Sequence, residues 1–163
     1  MSQIFALFDV FGHEVALFII SLIPLIEARG SVVYGAAIGM PWHQVLPLSI
    51  LGNMLPVPFI LLFGMKLIKY LKTTKLFGPF FTKYEAKLML KSKEIDRYSF
   101  IALVLFVGIP LPGTGAWSGS LIATILNINY KRAIPAIFLG VILAATIMIL
   151  CSYGVVGIIR LFI

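Results

Sequence analysis

The sequence predicts an all-α integral membrane protein made of two inverted repeats, each a re-entrant helical hairpin followed by a transmembrane helix. Composition is the first of three observations behind this prediction: of the 163 residues, 61% are hydrophobic and 12% are charged. The mean hydropathy is +1.08. A soluble chain needs a charged exterior, whereas most charges here are concentrated in one central block. The other two observations are a pair of broken apolar segments and an internal repeat.

Four apolar blocks are visible, at residues 15–40, 44–71, 99–126 and 133–159. Each is long enough to cross a hydrocarbon core of about 30 Å, which needs roughly 20 helical residues. The second and fourth blocks are predicted to be transmembrane helices. The first and third are interrupted in the middle by residues that a helix facing lipid would not carry.

The first block holds Glu27 and Arg29 between Pro24 and Gly30. In a continuous helix, side chains two positions apart point about 200° from each other around the axis, so one of the two charges would face lipid. A broken backbone removes this difficulty. We therefore predict a hairpin over 15–40 with the charges at its tip.

The third block is interrupted by the segment 110–115, which reads Pro-Leu-Pro-Gly-Thr-Gly. Two prolines remove hydrogen-bond donors and the glycines favour turns, so an α-helix cannot continue through it. The flanking arms, 99–109 and 116–126, would each reach about 16 Å, roughly half the core. The third block thus predicts a second hairpin, with irregular backbone that protein must bury or water must bathe.

The repeat is marked by the triplet Ile-Pro-Leu, which occurs at 23–25 and again at 109–111. Repeat one spans 15–71 and repeat two spans 98–159. A hairpin adds no net crossing and the following helix adds one, so the two units must be inverted. Inverted repeats with broken helices are typical of secondary transporters, whose sites lie near the midplane.

Charge placement supports this topology. Residues 66–97 contain nine basic and three acidic residues, an excess that places the segment in the cytoplasm by the positive-inside rule. The hairpin topology puts the turn with Lys131 and Arg132 on the same side and both termini outside. Within the basic linker 72–97, residues 80–97 are predicted to lie on the membrane surface as an amphipathic helix that binds anionic lipid headgroups, or to be a loop that sets topology without a ligand. Nucleic-acid binding is not expected.

Glu27 is the candidate proton-binding group, because ionisable side chains inside a membrane usually mark an ion or substrate path. Arg29 is the candidate anion ligand, since its planar guanidinium suits phosphate. The alternative is that the two form a structural pair that closes the hairpin tip.

The second tip could present backbone amides, together with the start of the next helix, to an anionic group. The alternative is a turn that only lets two arms pack. Asn53 could line the cavity or bond a carbonyl freed by a kink, and the second role is preferred. The candidate substrate or proton site comprises Glu27, Arg29, Gly30, Asn53, Pro110, Pro112, Gly113, Thr114 and Gly115.

Other chemistries have little support in the sequence. His13 and His43 have no partners at metal-ligand spacing, and no nucleophile elbow, phosphate loop or paired carboxylates occur. We expect no metal, no cofactor and no enzymatic activity.

A family resemblance rests on two strings, Pro-Leu-Ile-Glu-Ala-Arg-Gly at 24–30 and Pro-Leu-Pro-Gly-Thr-Gly-Ala-Trp at 110–117. Together they resemble the signature of the small multi-drug export protein family, over nearly the whole chain. That family is similar to the DedA group, which includes the VTT-domain lipid scramblases. The resemblance implies two opposed re-entrant hairpins, movement of lipids such as undecaprenyl phosphate, and proton-dependent drug tolerance. The arginine that DedA proteins carry near the second tip is absent here, and Arg29 would take its role.

These observations lead to an expected function. We expect a prokaryotic inner-membrane transporter that moves an amphiphilic, anionic lipid-linked substrate, with protons as the coupling ion and a homodimer as the assembly. The first alternative is a small multidrug exporter in which Glu27 binds the cation or its exchanged protons. The second is a membrane assembly factor that transports nothing.

Overall fold

The computed structural model describes residues 2–73 and 92–162, which form helices joined by short non-helical segments and contain no strand. The all-α prediction is confirmed for these residues. The helices are α1 Ser2–Leu22, α2 Glu27–Ala37, α3 Trp42–Met54, α4 Pro56–Thr73, α5 Ser92–Gly108, α6 Ala116–Ile125 and α7 Tyr130–Phe162.

The first predicted break separates α1 from α2. Helix α1 kinks at Gly12, which has φ 78° and ψ 156°. It ends at Leu22, and four residues separate it from Glu27, the first residue of α2. The two helices pack against each other. A Cβ on Gly35 would lie 3.0 Å from Leu17 Cδ1, so the pairing depends on a small residue at this crossing.

The second predicted break separates α5 from α6 and is longer. Helix α5 ends at Gly108 and α6 begins at Ala116. These helices also pack together, with Gly119 of α6 against Val107 of α5. Both arms are short: α2 has 11 residues and α6 has 10.

Two longer stretches have the length and composition of membrane spans, Trp42–Gly64 and Tyr130–Val155. The first was predicted as one helix over 44–71, and the structure instead divides it into α3 and α4 at Leu55. The division is slight, because Leu55 keeps helical dihedrals of φ −57° and ψ −45°. Pro56 has no backbone N–H, which accounts for the interrupted ladder.

Helix α7 is the centre of the packing and contacts α2, α3, α5 and α6. The short arms cross between the halves of the chain: α2 packs on α7, and α6 packs on α4. One buried cluster includes Leu103 and Ile137, and a second includes Val32 and Val45. This crossing brings the two helix breaks together.

The prediction for the basic linker 72–97 falls largely outside the described residues, which exclude 74–91. Its last part, from Ser92, is the beginning of α5.

Candidate functional site

The site is formed by two irregular segments, which we call the first tip, residues 23–30, and the second tip, residues 109–117. In the first tip the backbone is left-handed at two residues that are not glycine, Leu25 with φ 75° and Glu27 with φ 51°. Such residues cost about 1–2 kcal/mol each. Strain of this kind persists where surrounding contacts hold the backbone in place.

Glu27 provides the central contact between the tips. Its side chain is only 5% exposed. Oε2 accepts a hydrogen bond from the Ala116 N–H at 3.1 Å and Oε1 accepts one from the Trp117 N–H at 3.1 Å. These are the first N–H groups of α6, which have no partner within their own helix. A carboxylate is also the charge that a helix N-terminus favours.

Gly115 permits this approach. It has φ 141°, a backbone conformation that L residues rarely adopt. A Cβ at this position would overlap the Glu27 carboxyl group, with Oε1 at 2.8 Å. Gly115 is therefore required for its dihedral angles and also for the space that it leaves.

Arg29 is half-buried and reaches across to the second tip. Its guanidinium donates to the carbonyl oxygens of Leu111 and Thr114, and Nη2 also donates to Thr114 Oγ1 at 2.6 Å. Thr114 Oγ1 lies 2.8 Å from the carbonyl oxygen of Ile109, to which it can donate its own proton. The side chains of Arg29 and Thr114 thus satisfy carbonyl groups that the break leaves without helical partners.

Trp117 makes the reciprocal contact. Its indole Nε1 donates to the carbonyl oxygen of Leu22, at the end of α1, at 3.1 Å. Each tip therefore satisfies backbone groups of the other. We call the contacts of Glu27, Arg29 and Trp117 across the tips the latch.

The latch decides how the two charges are used. One hypothesis was that Glu27 and Arg29 pair with each other. The structure directs each side chain to the second tip instead, the carboxylate to amides and the guanidinium to carbonyls. The amides of the second tip were expected to bind an arriving anion, and here the anion they bind is Glu27.

Asn53 of α3 lies beside Glu27. It is 2% exposed, and its side-chain amide is placed to donate toward the Glu27 carboxylate. Its Oδ1 atom is buried without a hydrogen-bond partner. One helical turn away, at Ser31 after Glu27 on α2 and Ser49 before Asn53 on α3, the two hydroxyl oxygens are 2.8 Å apart. The sequence favoured a role for Asn53 in bonding a carbonyl freed by a kink. In the structure its amide instead faces the Glu27 carboxylate.

The remaining candidates surround the latch. Gly30 packs against Ile26, and Pro110 is half-buried. Pro112 and Gly113 are exposed, and a Cβ on Gly113 would meet nothing within 4 Å. None of these four residues has a polar side-chain group that could hydrogen-bond the carboxylate or the guanidinium.

From the sequence, the start of the helix after the second tip was expected to present amides to an anion, but Glu27 was not identified as that anion, and the two serines were not assigned a role. A signal for the serines exists, because Ser31 follows Glu27 by four positions and Ser49 precedes Asn53 by four. On facing helices, this spacing places polar side chains in one row. The amides carry no residue-specific signal, since any residue except proline provides one.

Fold and site together define a helical membrane protein of the broken-helix type, in which irregular backbone is buried between protein segments. The chain belongs to the family described as "Putative small multi-drug export protein", whose model matches residues 27–147. The match includes Glu27, Arg29 and the whole second tip. No curated protein and no solved structure matches the chain.

Proposed function

We propose that this protein is a transporter of the prokaryotic cytoplasmic membrane that moves an amphiphilic, anionic lipid-linked substrate, with the latch as its gate. The observation that carries the proposal is the latch itself: in an apolar chain, two helix breaks bind each other through one carboxylate and one guanidinium. Charges at membrane depth are costly, and where they occur they usually mark a path for ions or substrates.

The packing supports an inverted-repeat arrangement with re-entrant hairpins. The second arm of each half packs on the long helix of the other half, α2 on α7 and α6 on α4. Exchange of equivalent contacts is what a two-fold relation between the halves requires. In this topology the turn containing Lys131 and Arg132 lies on the cytoplasmic side with the basic linker.

Arg29 fits the anionic part of such a substrate. In the latched form it binds neutral carbonyl oxygens, and a phosphate would be a stronger ligand for the same donors. Its guanidinium is half-buried and can be reached from outside. Leu25 and Leu111 on the two tips are 87% and 55% exposed, which offers apolar surface to the hydrocarbon part of an amphiphile.

Glu27 provides the coupling to protons. As a carboxylate it accepts two backbone N–H groups. Protonation would turn one of its oxygens into a donor facing a donor, and this would weaken the latch. Proton binding would therefore favour separation of the tips, and substrate would then enter beside Arg29.

The family description favours a second candidate, a multidrug exporter in which Glu27 binds a cationic drug. Geometry favours the anionic substrate. Glu27 is 5% exposed and each of its oxygens has an N–H donor, so a cation would have to displace the start of α6. In an assembly factor that transports nothing, the latch would serve only to hold the two arms together.

A homodimer is part of the proposal. The helices of residues 2–73 and 92–162 include two arms of only 11 and 10 residues, which leave little protein to shield a polar path from lipid. A second copy would supply the missing wall.

The test compares variants in reconstituted vesicles. Movement of a labelled anionic lipid, phosphatidylglycerol, between leaflets is measured beside movement of labelled phosphatidylcholine and efflux of a lipophilic cation. We expect Arg29→Ala to slow anionic lipid movement about tenfold or more, because the anion ligand is lost. Glu27→Gln should slow it by a similar factor, because a permanently neutral side chain cannot restore the latch and complete the cycle.

Ser120→Ala is the matched control. Ser120 is buried, and its hydroxyl bonds a carbonyl of its own helix at 2.6 Å. It should leave movement unchanged. Loss of cation efflux mainly in Glu27→Gln would favour the drug exporter, and full lipid movement in both charge variants would contradict the proposal.

A further inference from the structure

We propose that Asn53 is the positioning residue for the proton on Glu27: its amide donates to the carboxylate, then turns and accepts the O–H of the protonated acid. This inference rests on the proposed function only in taking Glu27 as the proton-binding group. It assigns to Asn53 a role that follows from an unused hydrogen-bonding atom.

That atom is Asn53 Oδ1. The side chain is 2% exposed and Oδ1 has no hydrogen-bond partner. A buried acceptor without a donor is costly, and such groups are few in folded proteins. In the described part of the chain it is the one buried side-chain nitrogen or oxygen in this condition. The atom is therefore available to a donor that is present in only one state of the protein.

The protonated form of Glu27 needs such an acceptor. Its carboxylate faces three donors: the N–H groups of Ala116 and Trp117 and the amide of Asn53. The two backbone groups cannot accept a hydrogen bond. The side-chain amide can, because it carries a donor and an acceptor on the same carbon.

Rotation of the Asn53 amide by about 180° would bring Oδ1 to the carboxyl group. Since Oδ1 makes no hydrogen bond, the rotation breaks only the contact with Glu27 that protonation already removes. The proton enters from solvent and stays on the Glu27 carboxyl, so no other reactant is needed.

The other groups near Glu27 are engaged elsewhere. Arg29, on the same helix, binds the second tip. Helix α3 adds Ser49, which bonds Ser31, and helix α6 adds only backbone N–H groups to the carboxylate. At the end of α1, the carbonyl of Leu22 accepts the Trp117 indole.

The test uses the full chain, labelled with ¹³C and ¹⁵N at asparagine and placed in nanodiscs of neutral lipid. The sequence has three asparagines, Asn53, Asn127 and Asn129, so the side-chain signals can be assigned with single variants. As the pH falls, we expect the Asn53 Cγ signal to move downfield as Oδ1 gains a donor. Its amide protons should move upfield as they leave the carboxylate.

Glu27→Gln is the informative variant, because the glutamine amide is a permanent donor in the position of the acid. Its Asn53 Cγ signal should stay at the acid-limit position at every pH. Asn127 and Asn129 belong to the segment between α6 and α7 and serve as internal controls that should not move with the Asn53 transition.

Three results would overturn the inference. The wild-type Cγ signal could be fixed at every pH, or it could follow sodium concentration instead of pH, which would make a cation and not the acid proton the partner of Oδ1. The signal could also still titrate in Glu27→Gln. Fixed at the hydrogen-bonded position, the signal would indicate a permanent donor such as water. The vesicle assay keeps the two proposals separate. If Glu27→Gln loses lipid movement and the wild-type Cγ signal is fixed, the transporter proposal stands and the rotation of Asn53 is refuted. If Glu27→Gln keeps full movement and the wild-type signal titrates, the rotation stands and the transporter proposal is refuted.

Discussion

The two tips begin with the same triplet but contribute different chemistry to the latch. The first tip supplies two charged side chains, Glu27 and Arg29. The second tip mainly supplies main-chain groups to them: two N–H groups, two carbonyl oxygens and the hydroxyl of Thr114. The comparison teaches that a repeated sequence can keep its break while only one copy carries the charges. The other copy then needs the correct backbone geometry more than particular side chains.

The same contrast extends along the short arms. In the first half, Ser31 of α2 bonds Ser49 of α3 across the helix interface. In the second half, Ser120 and Thr124 of α6 bond carbonyl oxygens of their own helix at 2.6 and 2.8 Å. Helix α2 is thus tied to its neighbour by side chains. Helix α6 depends on apolar packing and the latch, so loss of the latch should affect α6 first.

The largest effect should come from Gly115→Ala, which tests whether the second tip depends on its backbone shape. The added Cβ would overlap the Glu27 carboxyl group at a left-handed φ of 141°. We expect a loss of about 3 kcal/mol in the free energy of unfolding, measured by detergent titration. Gly113→Ala is the matched control, because Gly113 also has a positive φ, 83°, but a Cβ there would meet open space. It should cost about 1 kcal/mol, and equal losses would show that Glu27 is not in contact with Gly115.

A second change removes a main-chain donor at the buried start of α6. Ala116 is the first residue of α6, where proline is well tolerated. Ala116→Pro deletes the N–H that Glu27 Oε2 accepts, and we expect a loss of about 2 kcal/mol in the same titration. Ala116→Gly keeps the N–H and should lose about 1 kcal/mol. If proline were no worse than glycine, the amide contact would contribute nothing.

Trp117→Phe tests the side-chain contact that runs from the second tip to the first. The ring remains and the donor to the Leu22 carbonyl is lost. We expect a loss of about 1 kcal/mol in unfolding free energy. Trp42→Phe, at an exposed tryptophan of α3, should change stability much less. A larger loss in Trp42→Phe would mean that the indole bond adds little to the latch.

The smallest expected change in unfolding free energy tests the difference between the two short arms, α2 and α6. Ser31→Ala removes a bond between helices and leaves Ser49 without that partner, while Ser120→Ala removes a bond within one helix. We expect a loss of about 1 kcal/mol for the first and less than half of that for the second. Hydrogen exchange of the α2 amides should rise in Ser31→Ala. An equal effect of the two changes would contradict the contrast between the arms.

Much of the helical pattern could be predicted from the sequence, because it depends on local residues. Pro24 and the segment 110–115 interrupt apolar stretches, and the structure has non-helical backbone between α1 and α2 and between α5 and α6. The division of α3 from α4 was less accessible. Pro56 lacks an N–H, yet the backbone at Leu55 before it stays helical. The sequence therefore does not show whether a proline only removes one hydrogen bond from the helix or also changes the direction of its axis.

The contacts of the site were harder to predict, because they join residues far apart in the chain. Glu27 and Arg29 lie close together in the sequence, and a structural pair between them was one alternative. Their partners lie 82 to 90 residues away. Asn53 is similar: its position beside Glu27 depends on how α2 and α3 pack, and a single polar residue in an apolar helix does not show which neighbour it meets.

The main-chain character of the second tip has a consequence for how the protein can change over evolutionary time. A substitution at position 116 or 117 alters a side chain, but the N–H that Glu27 binds is retained unless the new residue is proline. Two exposed residues of this tip, Leu111 and Pro112, can therefore vary while the contact with Glu27 is preserved. A surface that is free to diversify beside a fixed polar contact would let related chains acquire different exposed residues without rebuilding the latch.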